Sequence, residues 1–316
     1  MMVGFEILIF LVVFLAIIVL HILGKINLKI AVGLLAVAFI TLYSERIRST
    51  IVYSEKRDKF NSNTEQIIVE LNRKESTVIE SIPKIIIQVW VQRNDDKGSN
   101  AVAQIPKSQI EYMRKMRQMN PDFQHMYFDG NDVQKFFESN YPEYYDTYRH
   151  LPAFIQKLDF FRYLAIYHYG GFYFDMDVEP HKPLDDSILN HHSVFPVDEY
   201  GDHVSCEMPR MEPTCKKGRP FLLGQYAFGS VANHPFLKFV VDKIRDNLES
   251  YIQTAKQLKN SDRDQAHNFV YKTTGPDFIT DCYNVYNKPE QFFILSNGQR
   301  QVFGSYATHN YAGTWK

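Results

Sequence analysis

The sequence is short of cysteine, tryptophan and net charge. Three cysteines (Cys206, Cys215, Cys282) in 316 residues are too few for a disulfide framework, and none forms a C-x-x-C pair. Cys206 and Cys215 could bridge a loop in an oxidising compartment, or all three could be free. Their spacing relative to His191, His192 and His203 matches no common zinc pattern. A net charge of -1 leaves no electrostatic footprint for nucleic acid, so no nucleic-acid partner is expected. No N-x-S/T sequon, internal repeat or low-complexity tract occurs.

Phenylalanine and tyrosine are plentiful, 24 and 20 residues, enough to build a large core. The first 43 residues have a different composition. Val3 to Leu23 is apolar apart from Glu6 and His21 and is long enough to span a bilayer. It has no basic leader and no small-residue cleavage site, unlike a removable signal peptide. Lys25 and Lys29 follow, and Ile30 to Tyr43 forms a second, shorter run. Residues 1–43 are therefore expected to be a membrane anchor of one or two helices, 44–81 a polar stem with a helical patch around Glu65 to Leu71, and 82–316 the globular domain. If both runs span, the loop with Lys25 and Lys29 is cytosolic and the domain lumenal; Arg46, Arg48, Lys56 and Arg57 argue the other way.

Within the domain, strands and helices alternate. Ile82 to Trp90 reads as a buried strand, Lys107 to Met119 as a helix stopped by Asn120-Pro121, and Phe123 to Phe128 as a second strand. Helices are expected around Asp132 to Ser139 and from about Pro152 to His168. Such alternation predicts an α/β domain with a mostly parallel central sheet, whose ligands bind beyond the carboxyl ends of the strands. The stretch from Pro180 to about Phe221 reads as loop. Leu222 to Ser230 reads as a strand, and Asn233-His234-Pro235 as the start of a helix.

The densest pattern is Ile155 to Pro180. Phe154, Leu158, Phe161, Ala165 and His168 recur at helical spacing, which places Asp159 and Arg162 on one flank. Gly170-Gly171 ends the helix. Phe172, Phe174, Met176 and Val178 then alternate with Tyr173, Asp175 and Asp177, the period of a strand from Phe172 to Val178 with both aspartates on one face. Two adjacent carboxylates repel unless a cation joins them, and a hard divalent cation prefers oxygen ligands and can grip phosphates. A D-x-D triplet alone is common on exposed strand ends, so the metal reading rests on the whole constellation. Glu179 and Asp185 are nearby carboxylates to which sequence assigns no role. Tyr226, Phe228 and Tyr271 are candidates for an acceptor pocket, although aromatic core is the simpler reading of each.

These residues resemble a known family. Ile82-Pro83-Lys84-Ile85-Ile86 with Gln88 and Trp90, Lys157-x-Asp159-x-x-Arg162-Tyr163, and Tyr167-x-Tyr169-Gly170-Gly171-x-Tyr173-x-Asp175-x-Asp177-Val178 are similar to glycosyltransferase family 32, the DXD sugar-binding group. That group includes fungal initiating α-1,6-mannosyltransferases and mannosyl-inositol-phosphorylceramide synthase subunits. The resemblance implies a GT-A-type nucleotide-sugar-binding fold and retaining transfer of a hexose, mannose from GDP-mannose first and a UDP-hexose as the alternative. The acceptor would be a glycan, sphingolipid or protein, with Mn²⁺ or Mg²⁺ as cofactor, on a Golgi or endoplasmic reticulum membrane with a lumenal domain. It also implies roles: Asp177 as metal ligand with Asp175 and His309, Asp159 and Arg162 on the donor sugar, and Trp90, Asp175 and Trp315 on the nucleotide. The chain departs from the family pattern at Ile87, Val89, Asn310 and Thr314. The rival from a different class is an inactive, membrane-tethered carbohydrate-binding or scaffold protein.

Overall fold

The computed structural model describes residues 61–77, 80–91, 105–202, 204–258 and 263–311, with scattered positions before residue 60. The chain divides into two units, Met1–Lys59 and Phe60–Lys316. Most of both N-terminal apolar runs lies outside the described residues. Among those described, no helix is long and apolar enough to cross a membrane.

The second unit is built on a mixed seven-stranded sheet. Its strands are β1 (Ile85–Val89), β2 (Gln124–Phe128), β3 (Gly171–Phe174), β5 (Ser193–Tyr200), β6 (Phe221–Leu223), β7 (Ala227–Ser230) and β8 (Phe293–Leu295). They run in the order β2-β1-β3-β7-β5-β6, with β8 on β5. The β2-β1-β3 half is parallel, and β8 is parallel to β5. β7 and β6 are antiparallel to their neighbours. A small second sheet joins β4 (Val178–Pro180), β10 (Ala307–His309) and β9 (Val302–Phe303) in that order, all antiparallel.

Strand alternation sends side chains into two cores. Ile87, Val89 and Tyr173 join the core that holds helix α4 (Phe154–Tyr169). Ile86, Phe172 and Phe174 enter the core shared with Met116 of α1 (Lys107–Met119) and Phe303 of β9. The remaining principal helices are α2 (Gly130–Asn140), α3 (Pro142–His150), α5 (Asp186–Leu189), α6 (Glu212–Lys216), α7 (Pro235–Asp246), α8 (Leu248–Gln257), α9 (Arg263–Thr273) and α10 (Pro276–Tyr286). A helix over 61–72, in the region expected to be stem, packs on the domain: Ile68 and Leu71 enter the core, and Asn72 pairs with the backbone of Ile294 at 2.9 and 2.8 Å.

Four expectations need correction. The strand expected from Phe172 to Val178 stops at Phe174. Asp175 N–H still bonds Tyr226 O at 2.7 Å, but the chain then turns and resumes as β4 in the other sheet. The strand expected from Leu222 to Ser230 is two, β6 and β7, parted at Gly224-Gln225-Tyr226. The loop expected between Pro180 and Phe221 contains the eight-residue β5, whose Pro196 disguises it as a breaker. Finally, α3 lies where no helix is expected, opened by Pro142 as its first residue.

Candidate functional site

Helix α4 carries the first half of the site. It is buried almost all round, and Asp159 and Arg162 on its flank are 0% and 3% exposed rather than a surface pair. The Gln156 side chain accepts from Ala153 N–H at 2.8 Å at its start. Gly170 and Gly171, at φ +67° and +88°, end the helix and lay β3 against β1. A Cβ on Gly171 would stand 2.5 Å from Ile85 O, so only glycine permits this approach.

β3 places Tyr173 and Asp175 on the α4 side. Tyr173 Oη donates to Asp175 Oδ1 at 2.7 Å, and the Arg162 guanidinium covers the Tyr173 ring at 4.7 Å. Arg162 bridges the two carboxylates, 3.2 Å from Asp159 Oδ1 and 3.2 Å from Asp175 Oδ1, and also donates to Gln225 O at 3.1 Å. Asp159 accepts from Gln225 Nε2 at 3.2 Å and Thr274 Oγ1 at 2.6 Å. Tyr163 Oη donates to Thr274 O at 2.8 Å, which fixes the α9–α10 corner to the same helix. Arg162 Nε is buried and has no partner among the described residues.

Asp177 arrives by a turn, in which Val178 N–H bonds Asp175 O at 3.1 Å. β10 then pairs His309 opposite Val178, and Asn310 N–H bonds Asp177 O at 3.0 Å. His309 Nε2 comes 3.4 Å from Asp177 Oδ1, while its ring stacks on Tyr226 at 4.5 Å. Asp175, Asp177 and His309 each offer a ligand atom within 4.8 Å of the others. Two carboxylates and an imidazole so close form a donor set fit for a divalent cation. His309 Nδ1 is buried without a partner among the described residues, a polar cost in the native fold that a functional site would explain.

The electrostatics divide the site. Burial lifts the Asp159 carboxyl to about 6, against the pull of Arg162 and the hydrogen bonds from Thr274 and Gln225. Burial also raises Asp175, with Arg162 opposing and Asp177 adding repulsion. Burial disfavours a charged His309, but Asp177 and then Asp175 and Asp198 outweigh it and raise its pKa. Arg162 is held firmly charged: burial opposes it, but Asp175, Tyr173 and Asp159 prevail.

The structure thus brings together Asp159, Arg162, Asp175, Asp177 and His309. Trp90 lies just past β1, half-buried, with its indole Nε1 unpaired among the described residues. Trp315 and Thr314 lie outside the described residues. Glu179 is bound by Lys115 at 2.7 Å, and Asp185 caps α5 and accepts from Tyr306 Oη at 2.8 Å, which gives both a structural role. Sequence reasoning missed Gln225 and Thr274. A Gly-Gln between apolar runs and a Thr-Thr-Gly-Pro corner are their only sequence signals. Cys206 and Cys215 form a disulfide and Cys282 is a buried free thiol, which resolves the alternatives left open by sequence.

Residues 106–195 match the family described as a glycosyltransferase sugar-binding region containing DXD motif. The chain is similar to the initiation-specific alpha-1,6-mannosyltransferase of Candida albicans, 28% identical over 221 residues that cover 66% of this chain and 56% of that protein. It is also similar to inositol phosphoceramide mannosyltransferase 2 of Schizosaccharomyces pombe, 25% identical over 173 residues, 54% of this chain and 40% of that protein. The chain thus spans about half the length of the curated relatives it matches. Among solved structures, the PaToxG glycosyltransferase aligns over 74% of this chain and 80% of that chain, with 15% identity and a TM-score of 0.41.

Proposed function

With residues 106–195 taken as a DXD-containing sugar-binding region, we propose that this chain is a membrane-anchored, metal-dependent, retaining glycosyltransferase. It moves a hexose from a nucleotide sugar to a glycan or glycolipid acceptor. The relatives are named as mannosyltransferases, which makes GDP-mannose the first donor to test. The observation that carries the reading is the meeting of Asp175, Asp177 and His309 above a buried Asp159–Arg162 pair.

In this reading Asp177, Asp175 and His309 hold Mn²⁺ or Mg²⁺. When bound, the cation supplies Lewis-acid stabilisation of the charge that develops on the diphosphate. Arg162 keeps Asp175 oriented, and its Nε–H, unpaired among the described residues, would serve a ring hydroxyl of the donor sugar. Asp159, its oxygens already accepting from Arg162, Gln225 and Thr274, forms the floor of the donor pocket. A fixed floor contributes through positioning. Trp90 and Trp315 would flank the nucleotide. In the transfer itself, the C1–O bond to the diphosphate breaks with its electron pair on the leaving group. The acceptor oxygen bonds to C1 on the same face, and its proton passes to the departing phosphate.

The Cys206–Cys215 disulfide supports a lumenal domain, because such bonds persist in oxidising compartments of the secretory pathway. The test is incubation of the full chain, in detergent, with Mn²⁺ and a panel of GDP- and UDP-sugars. Release of a nucleoside diphosphate from one donor, dependent on metal, is the expected result. No release from any donor contradicts the enzyme reading and favours a tethered carbohydrate-binding protein.

A further inference from the structure

Asp198 differs from every neighbouring carboxylate in that no hydrogen bond or ion pair holds it among the described residues. Glu199 beside it is bound by Arg210 at 2.7 Å and Arg300 at 3.7 Å, and Asp277 is bound by Arg210 at 2.8 Å. The backbone explains how Asp198 comes to be aimed elsewhere. β5 and β6 pair Val197 with Leu223 and then Glu199 with Leu222, so Asp198 is the extra residue of a β-bulge. Bulges re-aim a side chain and recur beside active sites.

The carboxylate is half-buried and lies within electrostatic reach of His309 and Arg210, of Tyr226 and Tyr271, and of Glu199 and Asp277. These groups form a continuous wall. Tyr226 stacks on His309, the Tyr311 ring stands 5.3 Å from His309, and Tyr311 Oη meets Tyr271 Oη in a hydrogen bond. The Arg210 guanidinium then covers the Tyr271 ring at 5.3 Å. Asp198 therefore sits beside the proposed metal triad, on a side lined by tyrosine.

A half-buried carboxylate with no donor among the described residues gains most when hydroxyls reach it. Tyrosine rings beside it provide apolar surface of the kind on which a sugar ring is laid, while Asp198 provides the polar partner. The wall's charge also restricts the ligand. Asp198, Glu199 and Asp277 outnumber Arg210 and Arg300, and the two cations already face carboxylates, so an anionic group is disfavoured here.

We propose that Asp198 is an acceptor-binding residue whose carboxylate takes hydroxyls of a neutral, polyhydroxylated ring laid against Tyr271 and Tyr311. This rests on the glycosyltransferase reading of the site. It assigns Asp198 to the acceptor and leaves the donor with the DXD side.

The test uses the full chain in detergent with its best donor and Mn²⁺. Methyl α-D-mannopyranoside, methyl β-D-galactopyranoside and myo-inositol serve as acceptor probes. Asp198→Asn is expected to raise the acceptor KM about tenfold. The Kd for Mn²⁺ with nucleoside diphosphate should stay within about twofold, which a merely structural role would not preserve. An unchanged acceptor KM overturns the assignment, and so does a parallel loss of nucleoside diphosphate binding. A wild-type protein that hydrolyses its donor but transfers to none of the three probes contradicts the neutral-polyol class. A wild-type protein inactive on every donor overturns the transferase reading itself.

Discussion

The two sides of the site have opposite electrostatic character. On the α4 side, Asp159 and Arg162 are almost fully buried, and Thr274, Gln225 and Asp175 engage them from three other segments. On the β4–β10 side, Asp175, Asp177 and His309 keep some exposure, crowd two like charges together and leave a ring nitrogen unpaired among the described residues. The first side is paired without a ligand except at Arg162 Nε, among the described residues, and behaves mainly as scaffold. The second is poorly balanced without a cation, and such imbalance is more expected of a binding site than of a structural core.

Substitutions should separate the two sides. Asp177→Asn should lower metal-dependent turnover by roughly 100- to 1,000-fold or more. It should leave the melting temperature nearly unchanged, because the repulsion removed from Asp175 is offset by the attraction lost to His309. Paired turnover and calorimetry check this, and a large fall in Tm would move Asp177 to the scaffold side. Arg162→Met should do the reverse to stability. It strands Asp159 as a buried charge at a cost of about 3–5 kcal/mol in denaturant unfolding. An Arg162→Met protein as stable as wild type would mean that the ion pair does not hold the floor.

Smaller effects follow from single partners. Loss of the Cys206–Cys215 bridge, nine residues apart, should cost about 2–3 kcal/mol by the loop-entropy relation, measured as the unfolding difference between Cys206→Ser/Cys215→Ser and wild type. Thr274→Val removes the 2.6 Å bond to Asp159 Oδ2 and should cost about 1–3 kcal/mol. If Thr274→Val instead matched Asp177→Asn, weakening metal binding with no loss of stability, the division between the sides would fail.

How far this division was legible in sequence depended on the range of the contacts. The α4–Gly-Gly–β3 segment was readable because its signals are local: helical spacing, two glycines, then alternation ending in D-x-D. Helix α1 came out with its boundaries because Asn120-Pro121 stops it. Alternation failed at Met176 because it cannot register a turn that hands the chain from one sheet to another. The long-range partners were invisible for a different reason. Gln225, Thr274 and Asp198 lie 66, 115 and 39 residues from Asp159, and each meets the site only through sheet pairing or helix packing. Pro196 hid β5, and with β5 the bulge that turns Asp198. His309 was within reach only through the family resemblance, since a lone histidine has no periodic signal.

The central claim is that the Asp175–Asp177–His309 side binds a cation together with a nucleoside diphosphate. Isothermal titration of GDP and UDP into the full chain, with Mn²⁺ or with chelator, tests it directly. The account predicts binding of one nucleotide that requires Mn²⁺, disappears with chelator and is lost in Asp177→Asn while the protein stays folded. Equal binding in chelator, or binding that survives Asp177→Asn at wild-type strength, would contradict it.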